Sequence, residues 1–186
     1  MARGREADGT GIAGAAQVVW DAGAVKFDAE QRWTATVDEV VEIYLDRSFW
    51  EGLDGLTATS SPEVRSIERS DGSATVELHY VLTVDLPKDA ARFIDPDDVA
   101  WVERTTWDLA SHRADVAFVP DQAGRLLKAS ATAVLRQDGD DAVRTVTGEV
   151  KVHIPLLGSK VEKVIVEGVH DHLDEETAAV RDRLAG

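Results

Sequence analysis

GEVKVHIPLLGSKVEKVI, residues Gly148 to Ile165, changes its hydrophobic period in mid-run. Up to Ile154 the apolar Val150, Val152 and Ile154 alternate with Glu149, Lys151 and His153, the period of two that marks a half-buried strand. Beyond the joint Pro155-Leu156-Leu157-Gly158, Val161, Val164 and Ile165 recur at three and four, as one face of a helix does. The stripe runs on through Gly168 and Val169 to Leu173, Val180 and Leu184. The spacing therefore predicts a helix from Leu157 to Leu184, about 40 Å long at 1.5 Å per residue. Its apolar side has to be covered, and a sheet ending in the strand before it is the nearest cover.

Working back from that joint, the chain reads as strands divided by turn chemistry. Asp71-Gly72 and Asp138-Gly139 each stand between alternating runs, the strongest short-range hairpin signal. Asp121 to Gly124 is a third turn and Ala110-Ser111 a fourth. Strands are expected near 63–69, 74–85, 99–109, 112–119, 126–136 and 142–154. Pro87 and the Asp95-Pro96-Asp97-Asp98 cluster bracket an irregular or helical excursion holding Phe93 and Ile94. Ahead of these, VKFDAEQRW sets Val25, Phe27, Ala29, Gln31 and Trp33 on one side of a first strand. Thr36 and Glu39 then form a capping box before Val37, Val40, Val41, Tyr44 and Leu45, and a second short helical turn carries Phe49, Trp50 and Leu53. The order is one strand, two short helices, about six strands and one long helix: an α+β antiparallel meander.

The totals narrow the class. The 186 residues, 44% of them hydrophobic, suit one domain with one core, expected over residues 23–186. Residues 1–22 are rich in Gly and Ala without a sustained period and read as a flexible extension. Twenty Lys plus Arg against 35 Asp plus Glu leave a charge of −15, which repels nucleic acid and anionic membranes. The absence of cysteine excludes disulfides and thiolate chemistry. No run approaches the roughly 18 apolar residues of a membrane span, and a cytoplasmic protein is the expectation.

Side-chain size hints at what lies under the helix. In RLLKASATAVLRQ one face reads Leu127, Ala129, Ala131, Ala133, Leu135, and in the last strand Gly148 stands between Val146 and Val150. Either the helix closes in over Ala129, Ala131 and Gly148, or room is kept there. This element order over about 24–185, with DEVVEIYLDRSFW after the first strand and GEVKVHIPLLGSKVEKVI before the last helix, resembles the START and Bet v 1-like helix-grip superfamily (SRPBCC), which includes polyketide cyclase-like proteins. The closing motif is similar to an uncharacterised bacterial branch of it, a domain of unknown function. The resemblance implies a curved antiparallel sheet of about seven strands wrapped around the C-terminal helix, with a hydrophobic cavity between. It brings no catalytic residues with it.

Polar residues on inward faces are the candidates for orienting a ligand. Tyr80 shares its side with Val76, Leu78, Leu82 and Val84, and its hydroxyl either enters the cavity or spans to the sheet rim. Glu103 alternates with Trp101 and Trp107, and is a desolvated carboxylate or, if the strand faces the other way, a solvated edge charge. His172 continues the stripe of Val161, Ile165 and Gly168, facing the pocket mouth or lying half-exposed. With Phe118, Ala131, Gly148 and Val150 these make up the expected lining, although Phe118, Trp101 and Trp107 would equally serve to fill the space. HDHLDEE is not read as a metal site, because His170 and His172 project from different sides of a helix and His170 with Asp174 supplies too few ligands. His79 and His153 face outward, and His112 adjoins a turn. No nucleophile elbow, phosphate loop or dinucleotide fingerprint is present, so no cofactor is implied.

Three functions fit. The first is binding or transport of a hydrophobic small molecule, a lipid or polyketide-like metabolite, without catalysis. The second is a cyclase- or dehydratase-like enzyme using Tyr80, Glu103 or His172 as acid or base, which requires at least two of them at one cavity. The third is a pocket-free interaction module. Oligomeric state is encoded in none of these patterns.

Overall fold

Gly72 and Gly139 adopt φ of 78° and 62°, the left-handed conformation that tight hairpins demand, so both Asp-Gly pairs turn the chain straight back on itself. The computed structural model describes residues 23–83, 88, 99–121 and 126–186. The expected extension 1–22, Val84, the excursion with Phe93 and Ile94, and turn positions 122–124 lie outside the described residues. The elements are β1 (Val25–Thr34), α1 (Val37–Tyr44), α2 (Arg47–Glu51), β2 (Glu63–Ser70), β3 (Ser73–Val81), β4 (Ala100–Asp108), β5 (Arg113–Pro120), β6 (Leu127–Asp138), β7 (Asp141–Val152) and α3 (Gly158–Ala185).

All seven strands form one antiparallel sheet in the order β1-β7-β6-β5-β4-β3-β2. Sequential hairpins build β2 through β7, and β1 closes on the free side of β7. The two short helices therefore carry the chain from one sheet edge to the other. Helix α1 starts on the expected box: Glu39 N–H donates to Thr36 Oγ1 at 3.2 Å and Thr36 N–H to Glu39 Oε2 at 2.8 Å. Its buried Val37, Val40, Val41 and Tyr44 turn toward the core.

Helix α3 lies across the concave face and packs most closely on β1 and β7. Its inward side is buried at both ends, by Val161 and Glu162 and by Leu173, Glu176 and Val180. Between them Val164, Ile165, Gly168 and Val169 are only half-buried. The helix is clasped at its ends and stands off in the middle. Among the described residues no helix is long and apolar enough to cross a membrane.

The joint into α3 has a definite construction. Leu156 takes φ of 65° and points fully into solvent, which reverses the chain after Pro155. A Cβ on Gly158 would lie 2.5 Å from the Val152 carbonyl oxygen, so only glycine admits the helix start this close to the strand end. Glu162 then reaches back, accepting from Val152 N–H at 2.9 Å with Lys151 Nζ at 3.5 Å. The Gly and the Glu of the closing motif are thus two halves of one clamp between β7 and α3.

Candidate functional site

Strand register places the polar candidates in adjoining rows. Tyr80 of β3 pairs with Trp101 of β4, and Leu78 with Glu103, so Tyr80, Trp101 and Glu103 all emerge on the concave side. Glu103 in turn faces Phe118 of β5. Ala131 of β6 sits between Val116 and Gly148. Together with α3 these strands border a partly open cavity of about 140 Å³.

Nine of the eleven expected lining residues border that cavity: Tyr80, Trp101, Glu103, Phe118, Ala131 and Val150 from the sheet, and Ile165, Gly168 and His172 from α3. Trp107 and Gly148 do not. Trp107 lies further along β4, wholly buried against the Tyr44 ring at 5.9 Å. Gly148 is covered by its neighbour on β1: a Cβ there would come within 2.4 Å of the Phe27 ring and 2.8 Å of the Ser130 carbonyl. The glycine makes room for Phe27, and it is Phe27 that borders the cavity. At Gly168 the helix approaches the loop before β2, where a Cβ would stand 3.3 Å from Ala58.

The polar wall has unusual chemistry. Tyr80 stacks on Trp101 with centroids 5.8 Å apart, and His172 meets the Tyr80 ring edge-on at 5.5 Å. Tyr80 OH, Trp101 Nε1, His172 Nδ1, Thr59 Oγ1 and Arg144 Nε are buried without a hydrogen-bond partner, and all five residues line the cavity. A buried polar atom left unpaired costs about 1–3 kcal/mol, so five at one cavity call for an occupant that pairs with them. Glu103 accepts from Thr105 Oγ1 at 3.4 Å. Burial and the nearby Glu176 push its carboxyl up to about 7, against the opposing pull of Arg144. Burial also lowers the His172 imidazole below its ordinary value, against the opposing pull of Glu176 and Glu175.

Beside the cavity lies a network absent from the expected list. Arg144 Nη1 donates to Gln31 Oε1 at 2.8 Å, to Tyr44 OH at 2.9 Å and to Glu176 Oε1 at 2.5 Å. Tyr44 OH donates to Glu176 at 2.7 Å, and Gln31 Nε2 to the Leu173 carbonyl at 2.8 Å and Thr177 Oγ1 at 2.9 Å. Burial alone would raise the Glu176 carboxyl, but Arg144, His172, Tyr44 and Gln31 hold it below the usual carboxylate range. Two signals for this network were present in the sequence. Arg144 falls two residues before Val146 on the inward parity of β7, and Glu176 interrupts the apolar stripe between Leu173 and Val180. A lone cation and a lone carboxylate on two apolar faces are natural partners.

Solved structures share this architecture. The Zhui aromatase/cyclase from Streptomyces sp. R1128 matches with TM-score 0.59 and 15% identity, over 86% of this chain and 93% of that one. Norcoclaurine synthase from Thalictrum flavum matches with TM-score 0.56 and 15% identity, over 87% of each chain. A START superfamily protein from Mycobacterium smegmatis matches with TM-score 0.51 and 11% identity, over 87% of this chain and 97% of that one. At such identities the likeness establishes the fold, the helix-grip fold of START and Bet v 1-like proteins. No curated protein matches. A family model described as "Protein of unknown function (DUF2505)" matches residues 28–184.

Proposed function

The chain belongs to the DUF2505 family, and from that premise and its cavity we propose that it binds a hydrophobic small molecule between the sheet and α3, without transforming it. The observation that carries this reading is the gap under the middle of the helix, bordered by Ala129, Ala131, Val150 and Ile165 and by five polar atoms with no protein partner. Left empty, 140 Å³ would cost about 3 kcal/mol at roughly 24 cal/mol per Å³. An apolar ligand removes that cost and water does so only in part. The likeness to the Zhui aromatase/cyclase and to norcoclaurine synthase supports a small-molecule role for such a cleft. The interaction-module reading requires a core without such a gap, and the lining under α3 favours the binding reading over it.

Native mass spectrometry with organic extraction, followed by competition with a neutral apolar fluorophore, tests the reading. The wild-type chain retains a small molecule or binds the probe, and Ala131→Leu, which fills the cavity, keeps the fold and weakens probe binding at least about tenfold. A chain that retains nothing and binds no probe overturns it.

A second reading has its own support. Tyr80, Glu103 and His172 border one cavity, and Glu103 titrates close to neutral pH, as a general acid or base must. On this reading the occupant is a substrate, turnover of the extracted compound is observed, and Glu103→Gln abolishes it while leaving binding measurable. A compound that stays unchanged on incubation removes this second reading and leaves the first intact.

A further inference from the structure

We propose that the cavity selects a neutral molecule about the size of one ring that carries a carbonyl or other acceptor oxygen, in preference to carboxylates and amines. This rests on the small-molecule binding argued above and specifies its chemistry. Of the five unpartnered polar atoms, Trp101 Nε1 and Arg144 Nε can only donate. Thr59 Oγ1, Tyr80 OH and His172 Nδ1 can donate or accept, and rotate or change tautomer to suit. No protein acceptor reaches either obligate donor, and an occupant that brings an acceptor oxygen supplies what Trp101 Nε1 or Arg144 Nε lacks.

Charge excludes the anionic version of such a ligand. The Arg144 guanidinium already faces Glu176, with Oε1 at 2.5 Å from Nη1, so its charge is spoken for. A ligand carboxylate would share that one cation with Glu176 and stand near Glu103 as well. An ammonium group can pair with Glu103, but it leaves both obligate donors unpaired and approaches Arg144. A neutral carbonyl avoids both conflicts.

Volume sets the size. A cavity of 140 Å³ is close to the roughly 150 Å³ of an engineered apolar cavity that accepts one benzene. A single ring or a chain of similar bulk fits within it.

Four matched probes test this on the full chain by calorimetry: acetophenone, ethylbenzene, benzoate and benzylamine. Acetophenone binds about tenfold tighter than ethylbenzene, and benzoate and benzylamine bind more weakly than either. Trp101→Phe keeps a ring over Tyr80 while deleting the N–H, and brings the acetophenone-to-ethylbenzene ratio toward one. Tyr80→Phe is the second variant and lowers the same ratio. Equal wild-type affinities for acetophenone and ethylbenzene, or a preference for benzoate or benzylamine, overturn the proposal while the binding of an apolar ligand stands. Binding of N-phenyl-1-naphthylamine with none of the four overturns the proposal in both size and acceptor preference, while the binding of an apolar ligand stands. Failure of every probe, with nothing extracted from the protein, removes the underlying binding function instead.

Discussion

Glu103 joins the apolar wall to the charged end of the molecule, and its protonation makes stability depend on pH. Burial and Glu176 raise its folded-state pKa to about 7 from an ordinary 4.5. The folded chain holds that proton over a range where the unfolded chain has released it. Stability from this group is therefore full below about pH 4.5 and falls as pH rises toward 7 and just beyond. A shift of this size corresponds to about 3 kcal/mol. Urea unfolding of wild type and Glu103→Gln between pH 4.5 and 8 checks it. The wild type loses about 3 kcal/mol relative to the variant as pH rises, and parallel curves would show that Glu103 ionises freely in the fold. The sequence left two directions open for this residue. What decides between them is its company: the same parity carries Trp101, Thr105 and Trp107, and two indoles have more to gain from burial than one half-buried carboxyl has to lose. A raised pKa belonged to the buried reading, since burial is its larger cause, but the part due to Glu176, more than seventy residues away, was not legible.

At the scale of elements, the β7–α3 joint holds two residues whose side chains work in opposite directions. Leu156 keeps a left-handed φ of 65° with its side chain exposed, a conformation that costs a non-glycine residue roughly 1–2 kcal/mol. Leu156→Gly therefore raises stability by about 1 kcal/mol, less whatever glycine adds to the entropy of the unfolded chain. Gly158→Ala does the reverse. Its new Cβ meets the Val152 carbonyl at 2.5 Å, a backbone atom held in the strand, and the loss is about 1–3 kcal/mol. Thermal melts of the two variants should move in opposite directions, and a common sign would contradict this account of the joint. The change of period, the proline and the glycine made this corner readable, and α3 begins within one residue of the expected position. The reason for the glycine was not readable. It lies in an approach to a carbonyl six residues earlier, set by the three-dimensional turn at Leu156. Gly148 is similar: its small size was visible, but the ring that uses the space belongs to Phe27 on β1.

Across the whole molecule the helix is gripped by what flanks the cavity, since its middle has little beneath it. One grip is the Glu162 clamp and the other is the buried network of Gln31, Tyr44, Arg144 and Glu176, which joins β1, α1, β7 and α3. The succession of β2 through β7 and the helix placement followed from hairpin signals and hydrophobic period, whereas the closure of β1 on β7 carried no local signal. The network's long-range pairing was not legible either, because parity names the face of a residue and not its partner across the core. The network makes a quantitative demand. Arg144→Met strands the Glu176 carboxylate in the core, and Glu176→Leu strands the guanidinium, so each single change costs about 3–5 kcal/mol. Removing both leaves no uncompensated charge and fills the site with apolar volume, though Tyr44 OH and Gln31 lose partners. The double variant therefore costs several kcal/mol less than the sum of the singles. Urea unfolding of the four proteins measures the coupling directly. Additive losses would mean that Arg144 and Glu176 act separately, and α3 would then depend on Glu162 and apolar packing to stay over the sheet.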